Sequence, residues 1–411
     1  MSQRIISPKT VIILISFFLS ITANTQELNI LVEEALSNNP EIQKFELQYK
    51  RASEKVNEVD TYPNTDFGVG YFISEPETRT GPQKFKISIK QMIPWFGTIT
   101  SRENYVNSLA DAKFEDIVIT KRKLITSVSQ SYYKLYANKA KQNILTQNIK
   151  LLSTYETMAL TSVENGKASA VDILRLQMRQ NELQQLKEIL QEQFKGEESK
   201  INNLLNRNSD VSVRIIDNLR IPLNDFKSNS SNLILHPELV KYDKLFLSVQ
   251  KSELLNQKES SPIVGFGLDY VNVAETSNQS IIDNGKDIIM PMLSISIPIF
   301  NKKYKSKTKQ NFIKQKEIEA NKNQRLNNLK TAYNLALTNR QASRISYKIQ
   351  TKNLKQAKDA EKILVKNYET GTINFIDVLD IQELQLKFQM NQIESIKSYY
   401  IQSSIINYLT Q

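Results

Sequence analysis

Apolar positions along the chain follow two spacings. From about Leu28 to Val59 they recur every three to four residues, as on a helix with one buried face, and the pattern stops before Pro63. Alternation then takes over. Phe67, Val69, Tyr71 and Ile73 share one face of an extended segment, and Phe85, Ile87 and Ile89 share one face of a second, across a polar loop with Glu75, Pro76, Gly81 and Pro82. Helical spacing returns at about Thr98 and runs to Val163 with no Gly or Pro. A tight turn then leads into a helix from about Ala170 to Leu205, where Leu176, Leu183 and Leu190 step by sevens. Sevens predict helices packed lengthwise against partners.

The second half repeats this order. Asn39-Pro40-Glu41 returns as His236-Pro237-Glu238, each opening a helical pattern, and Ile93-Pro94-Trp95-Phe96 returns as Ile297-Pro298-Ile299-Phe300. Glu164-Asn165-Gly166 with Asp172, Leu174 and Gln177 returns as Glu369-Thr370-Gly371 with Asp377, Leu379 and Gln382. The offset grows only from 197 to 205, as small loop insertions would produce. Two structural repeats are therefore expected, 26–222 and 223–411. Strands are expected at about 65–73 and 84–92, then at about 263–273 and 289–298, with tip turns at about 164–169 and 369–374. Each repeat reads helix, strand, strand, very long helix, return helix.

A helix of about 65 residues is on the order of 100 Å long, close to two of the shorter helices end to end. That match predicts a wall in which each continuous helix lies beside two stacked shorter ones. The strands keep one aromatic and aliphatic face, and the other face is small or polar, with Gly68, Gly70, Ser88, Lys90, Ser294 and Ser296. Such strands suit a membrane barrel, and about nine residues suffice for a tilted crossing. Four strands cannot enclose a lumen, so three or more chains must share one barrel. The expected fold class is mainly α with a membrane β part.

Composition narrows the chemistry. The 411 residues include no Cys and one His, which excludes disulfides, Cys-ligated zinc, a thiol nucleophile and a multi-His metal centre. Only 10 Gly and 11 Pro interrupt the chain, and mean hydropathy is -0.41. Arg4 and Lys9 precede an apolar run from Val11 to Leu19 and then small and polar residues, the order of a secretory signal peptide over 1–25. Its removal before Gln26 takes away two basic residues and lowers the net charge from +11 to +9. The lysines are spread along helical stretches without an aromatic-interleaved patch, so nucleic acid is not an expected partner.

The double repeat, the strand ends Ile93-Pro94-Trp95-Phe96-Gly97 and Ile297-Pro298-Ile299-Phe300, and Tyr368-Glu369-Thr370-Gly371 running into Asp377-Val378-Leu379-Asp380 closely resemble the TolC-type outer membrane efflux proteins, from about residue 27 to the C-terminus. The resemblance implies a homotrimer with one twelve-stranded β-barrel in outer membrane lipid and a long α-helical barrel through the periplasm. It also implies docking onto a periplasmic adaptor (membrane fusion) protein and an inner-membrane pump, with the function of an outer membrane exit duct for a tripartite efflux system of the RND type or for a type I secretion system. The stretch Gln91 to Gly97 looks more like the metal-efflux or general multidrug branch than a toxin-secretion branch. By the same resemblance, Gly166 and Gly371 mark the periplasmic tips, Asp377 and Asp380 match the pore constriction, and Asp172 matches the aspartate after the first turn. Tyr368 matches a tyrosine that helps hold the entrance shut. Ile373 stands where a basic residue would tie neighbouring helices together, leaving Arg175 or Lys167 of a neighbouring helix as partners for the carboxylates.

Plainer roles compete for these residues. Ser169-x-x-Asp172 and Asn374-x-x-Asp377 both have capping-box form, so Asp172 and Asp377 suit helix starts as well as a pore. Asp380, one turn beyond Asp377, adds like charge and little to a cap, and its repeat counterpart is Arg175. His236 reads as a helix-start residue. Gly68-x-Gly70 and Gly265-x-Gly267 lie inside strands and cannot form a dinucleotide loop. Met290 and Met292 read as barrel filling rather than soft-metal ligands. Trp95 and Phe96 fit an interfacial girdle or a buried anchor. No nucleophile, base and orienting group assemble, so no enzyme activity and no cofactor are expected. The competing function class is a non-conducting periplasmic coiled-coil adaptor or fibre, and the aromatic-faced strand pairs argue against it.

Overall fold

The computed structural model describes residues 23–166, 169–225, 230–277, 280, 282–373 and 375–411. The signal peptide up to residue 22, Lys167 and Asn374 lie outside the described residues. In chain order the elements are α1 (Ala23–Asn38), α2 (Pro40–Val59), β1 (Thr65–Tyr71), β2 (Glu77–Thr78), β3 (Gly81–Ile93), α3 (Thr98–Glu164) and α4 (Ala170–Leu204). A short 3-10 helix (Ser230–Leu235), α5 (Pro237–Glu259), β4 (Ile263–Val273), β5 (Ile288–Ser296), α6 (Lys303–Glu369) and α7 (Phe375–Thr410) follow. Among the described residues no helix is long and apolar enough to cross a membrane.

Two departures from the periodicity have local causes. The helical run expected from Leu28 to Val59 is broken at Asn39, whose side-chain oxygen accepts the backbone N–H of Glu41 at 2.9 Å while Pro40 opens the next helix. The loop after β1 contains β2, which pairs with the start of β3, so β3 begins at Gly81 rather than 84. Gly81 is required there. Its φ is 131°, and a Cβ would stand 1.9 Å from the carbonyl oxygen of Ala274.

The chain forms two compact units, each assembled from segments of both repeats. One unit, residues 44–117 and 237–325, carries the antiparallel sheet in the order β1-β3-β4-β5. The register aligns Val69, Ile87, Tyr270 and Ile289 in one row and Phe67, Ile89, Leu268 and Pro291 in the next. This face is apolar and exposed: Phe67 is 76% accessible, Val69 81% and Leu293 66%. The opposite face carries Gly68, Ser88, Asp269 and Met290 in one row, and Lys86 pairs there with Asp269, which is 0% accessible. Below the sheet, α5 meets the head of α6 through polar side chains. Glu253 accepts from Asn311 and Thr308, both at 2.8 Å, and Asn256 donates to the carbonyl of Tyr304 at 3.0 Å.

The other unit, residues 23–43, 118–236 and 326–411, holds two apolar cores. The first packs Leu31, Val128, Tyr132, Leu135 and Ile201. The second packs Leu145, Leu152 and Tyr155 of α3, the Leu176, Leu183 and Leu190 of the sevens in α4, and Phe375, Val378 and Leu386 of α7. The linker after α4 is pinned by charge. Asp225 pairs with Arg344 and Arg340, both nearly buried, and accepts from the hydroxyl of Tyr399. Burial alone would raise the Asp225 carboxyl, but the bonds from Tyr399 and Arg344, with the positive field of Arg340, outweigh it and hold the group below the usual carboxylate range.

Candidate functional site

The long helices α3 and α6 each end in a glycine with a left-handed backbone, Gly166 at φ 70° and Gly371 at φ 73°. The second ending is a full Schellman turn. Gly371 N–H bonds the carbonyl of Tyr368 at 2.9 Å and Thr372 N–H bonds that of Asn367 at 2.9 Å. The matching bond of the first turn, Gly166 N–H to the carbonyl of Val163, is also 2.9 Å. Open space surrounds both glycines, so backbone conformation alone selects them.

After the first turn Ser169 caps α4, accepting the N–H of Val171 at 3.2 Å, and Asp172 pairs with Arg175 of the same helix at 3.4 Å. Arg175 is thereby engaged within its own chain. After the second turn Ile373 packs at the edge of the tip core, and Asp377 sits exposed in the first turn of α7. Asp380 is exposed too and borders a shallow pocket of about 180 Å³ with Arg179, Leu183 and Glu383. Arg179 bonds Glu182 at 2.7 Å and lies 3.7 Å from Glu383. Asp377 does not line that pocket. Tyr368 stacks edge-on against Phe375, with ring centres 5.0 Å apart, and its hydroxyl is buried without a hydrogen-bond partner among the described residues.

A second constellation stands ten residues before each glycine. In the first hairpin Glu156 accepts from Gln177 at 2.8 Å and Gln180 at 2.9 Å. In the second, Glu361 accepts from Gln382 and, at 2.8 Å, from Gln385. Each pair of glutamines is one helical turn apart on the return helix, so one carboxylate fixes the register of both arms above the turn. The second clamp has an additional member. Tyr155 of α3, 5% accessible, donates its hydroxyl to Glu361 at 2.7 Å and so ties the α6–α7 hairpin to α3. Burial first and Glu361 second push the Tyr155 hydroxyl above its ordinary range, keeping it a proton donor at neutral pH. The repeated pair Gln177 and Gln382 is the visible sequence signal for these clamps. Their carboxylates come from the other arm, where periodicity alone does not single them out.

Residues 31–207 match the sequence model of the outer membrane efflux protein family. No curated protein sequence matches the chain significantly. Among solved structures, CusC, described for conformational changes accompanying folding and transmembrane channel formation, superposes with a TM-score of 0.77 at 14% identity, covering 93% of this chain and 92% of its own. The outer-membrane channel OprN gives 0.74 at 17% identity, covering 94% and 90%, and the outer membrane protein VceC of Vibrio cholerae gives 0.74 at 16%, covering 94% and 96%. At these identities the likeness is one of fold, and it runs through both repeats. The family match lies on the first repeat, the second repeat builds the same strands, long helix and glycine turn again, and both repeats share the fold of these outer-membrane proteins.

Proposed function

We propose that the protein is the outer-membrane exit duct of a tripartite efflux system. One observation carries the reading: a sheet whose four main strands, β1-β3-β4-β5, leave the outer edges of β1 and β5 without a strand partner among the described residues and present one exposed apolar face across all four. A soluble sheet of this kind would expose both edges and a large apolar surface, which folded proteins avoid. Three copies joined β1 to β5 give twelve strands, no free edge and lipid against the apolar face. The sheet face bearing Gly68, Ser88, Lys86 and Asp269 then lines the lumen. In this reading the helices extend into the periplasm, and the turns at Gly166 and Gly371 meet the adaptor and, through it, the inner-membrane pump.

The same reading assigns the tip. Asp377 and Asp380 from three chains form stacked acidic rings at the mouth, where like charges in a narrow lumen attract cations. Tyr368 completes its hydroxyl bond to a neighbouring chain in the closed state. The Glu361 clamp holds the inner hairpin against α3, and opening releases Tyr155. The passage takes its substrate from the pump it meets. The test is extraction from outer-membrane fractions followed by light scattering, which should give a mass of three chains. A water-soluble monomer that leaves bilayers unlabelled would refute the proposal.

A further inference from the structure

The lysines of the chain are not evenly spread. No acidic residue occurs between Asp287 and Glu317, and residues 302–316 hold seven lysines. At 100° per residue Lys303, Lys307 and Lys314 form one row along the head of α6, and Lys305, Lys309 and Lys316 form another on the opposite side, with Lys302 just before the helix. The packed stripe of this helix, marked by the buried Asn311 and Ile318, runs between them. All seven lysines are exposed. Lys314 and Lys316 reach Glu317 and Glu319 at 2.7 and 3.1 Å, and the other five have no carboxylate partner among the described residues.

The fold does not require this charge. The matching stretch of the first repeat, residues 98–112 at the head of α3, has Arg102 against Glu103 and Asp111, a net charge of -1 where the second repeat has +7. The lysines also follow directly on the exposed apolar end of the sheet, Ile295, Ile297, Ile299 and Phe300, the last 99% accessible. Apolar side chains giving way within two residues to unpaired lysines is the pattern of a segment passing from hydrocarbon into anionic headgroups. With basic rows on opposite sides of the helix, one row faces outward whichever row faces the duct.

We propose that the head of α6 is a binding surface for anionic phospholipid headgroups in the leaflet on the helical side of the membrane. The proposal rests on the outer-membrane reading above. The test uses the full-length protein reconstituted into vesicles of equal phosphatidylglycerol and phosphatidylcholine, re-extracted in mild detergent, with its retained lipids quantified by mass spectrometry. The wild type should retain phosphatidylglycerol preferentially, with relative retention changing about fivefold for each lysine that reaches the headgroups. The preference should fall in about 0.5 M NaCl, which needs no mutation. Replacing Lys302, Lys303, Lys305, Lys307 and Lys309 by Gln should abolish it. Replacing Lys352, Lys355, Lys358, Lys362 and Lys366, farther along α6, should not.

No preference in the wild type, persistence in the first variant, or equal loss in the second would overturn the proposal. So would a change in ion selectivity with lipid retention unaltered, because both rows would then lie in the lumen. Failure to enter vesicles at all would overturn the membrane reading itself, and insertion without preference would overturn only this proposal.

Discussion

Replacing Tyr155 by Phe removes one oxygen atom from the Glu361 clamp and leaves the apolar packing of the ring in place. The lost bond is short, 2.7 Å, and is made by a side chain only 5% accessible to a carboxylate. Hydrogen bonds to charged groups contribute about 1.5–3 kcal/mol. Glu361 keeps Gln382 and Gln385, so the carboxylate is not orphaned, and the lower end, about 1.5 kcal/mol, applies. If the bond exists only in the closed hairpin, the closed-to-open ratio falls about tenfold per chain. For three hairpins opening together the contributions add to about 4.5 kcal/mol, on the order of a thousandfold. The assay is conductance in planar bilayers at fixed voltage. Y155F should open far more often than the wild type, and E361Q, which weakens every bond of the clamp, at least as often. Unchanged conductance in both variants, with the thermal midpoint lowered as a lost bond requires, would make the clamp a packing feature and refute its role in opening.

Other outcomes follow from the same geometry. Asp225→Asn leaves the nearly buried Arg340 and Arg344 without their carboxylate and should cost about 3–5 kcal/mol in thermal unfolding. Because the folded Asp225 carboxyl lies below its ordinary value, its contribution is present above about pH 4 and lost as pH falls through the folded value, so the variant should lack that part of the acid sensitivity in a melting series. Gly371→Ala meets open space and should cost only the left-handed backbone penalty, about 1–2 kcal/mol, whereas Gly81→Ala places a Cβ 1.9 Å from a backbone oxygen and should prevent assembly of that end of the sheet, as scored by yield of folded protein. Asp380→Asn should weaken cation preference and block by trivalent cations in single-channel recordings. Asp377→Asn should add a loss of helix stability from the first turn of α7, and unchanged selectivity in the double substitution would place the constriction elsewhere.

Much of this architecture is visible in the chain because long periodic elements leave few choices. The sevens of Leu176, Leu183 and Leu190 are all buried in the tip core, and the alternation of Phe67, Val69 and Tyr71 emerges as one exposed face. The glycine turns are legible because a left-handed position leaves a composition signal, and Gly166 and Gly371 carry it in both repeats. Azimuth and partner choice are harder to read. A helix of 67 residues presents many polar positions, and nothing local singles out Glu156 or Glu361 until the return helix brings Gln177 and Gln382 opposite them. Asp225 lies in a linker with no periodicity, so its arginine partners on α6 are not visible from spacing. Asp172 shows a different limit. Ser169 supplies the N-cap half of its capping-box form through the N–H of Val171, and its carboxylate takes Arg175, a residue the resemblance offered to the pore. The lysines of 302–316 escape a reading of charge averaged over helices, because the clustering matters only beside the apolar strand end.

The central claim, that three chains close one barrel through β1 and β5, is tested most directly by disulfide trapping across those edges, in a protein that has no cysteine of its own. Cys at Val69 in β1, combined in turn with Cys at Ile289, Pro291 or Leu293 in β5, should on mild oxidation in the membrane give a covalent ladder that stops at three chains for the pairs in register. A ladder that never passes one chain, or one that continues beyond three, would contradict the shared twelve-stranded barrel.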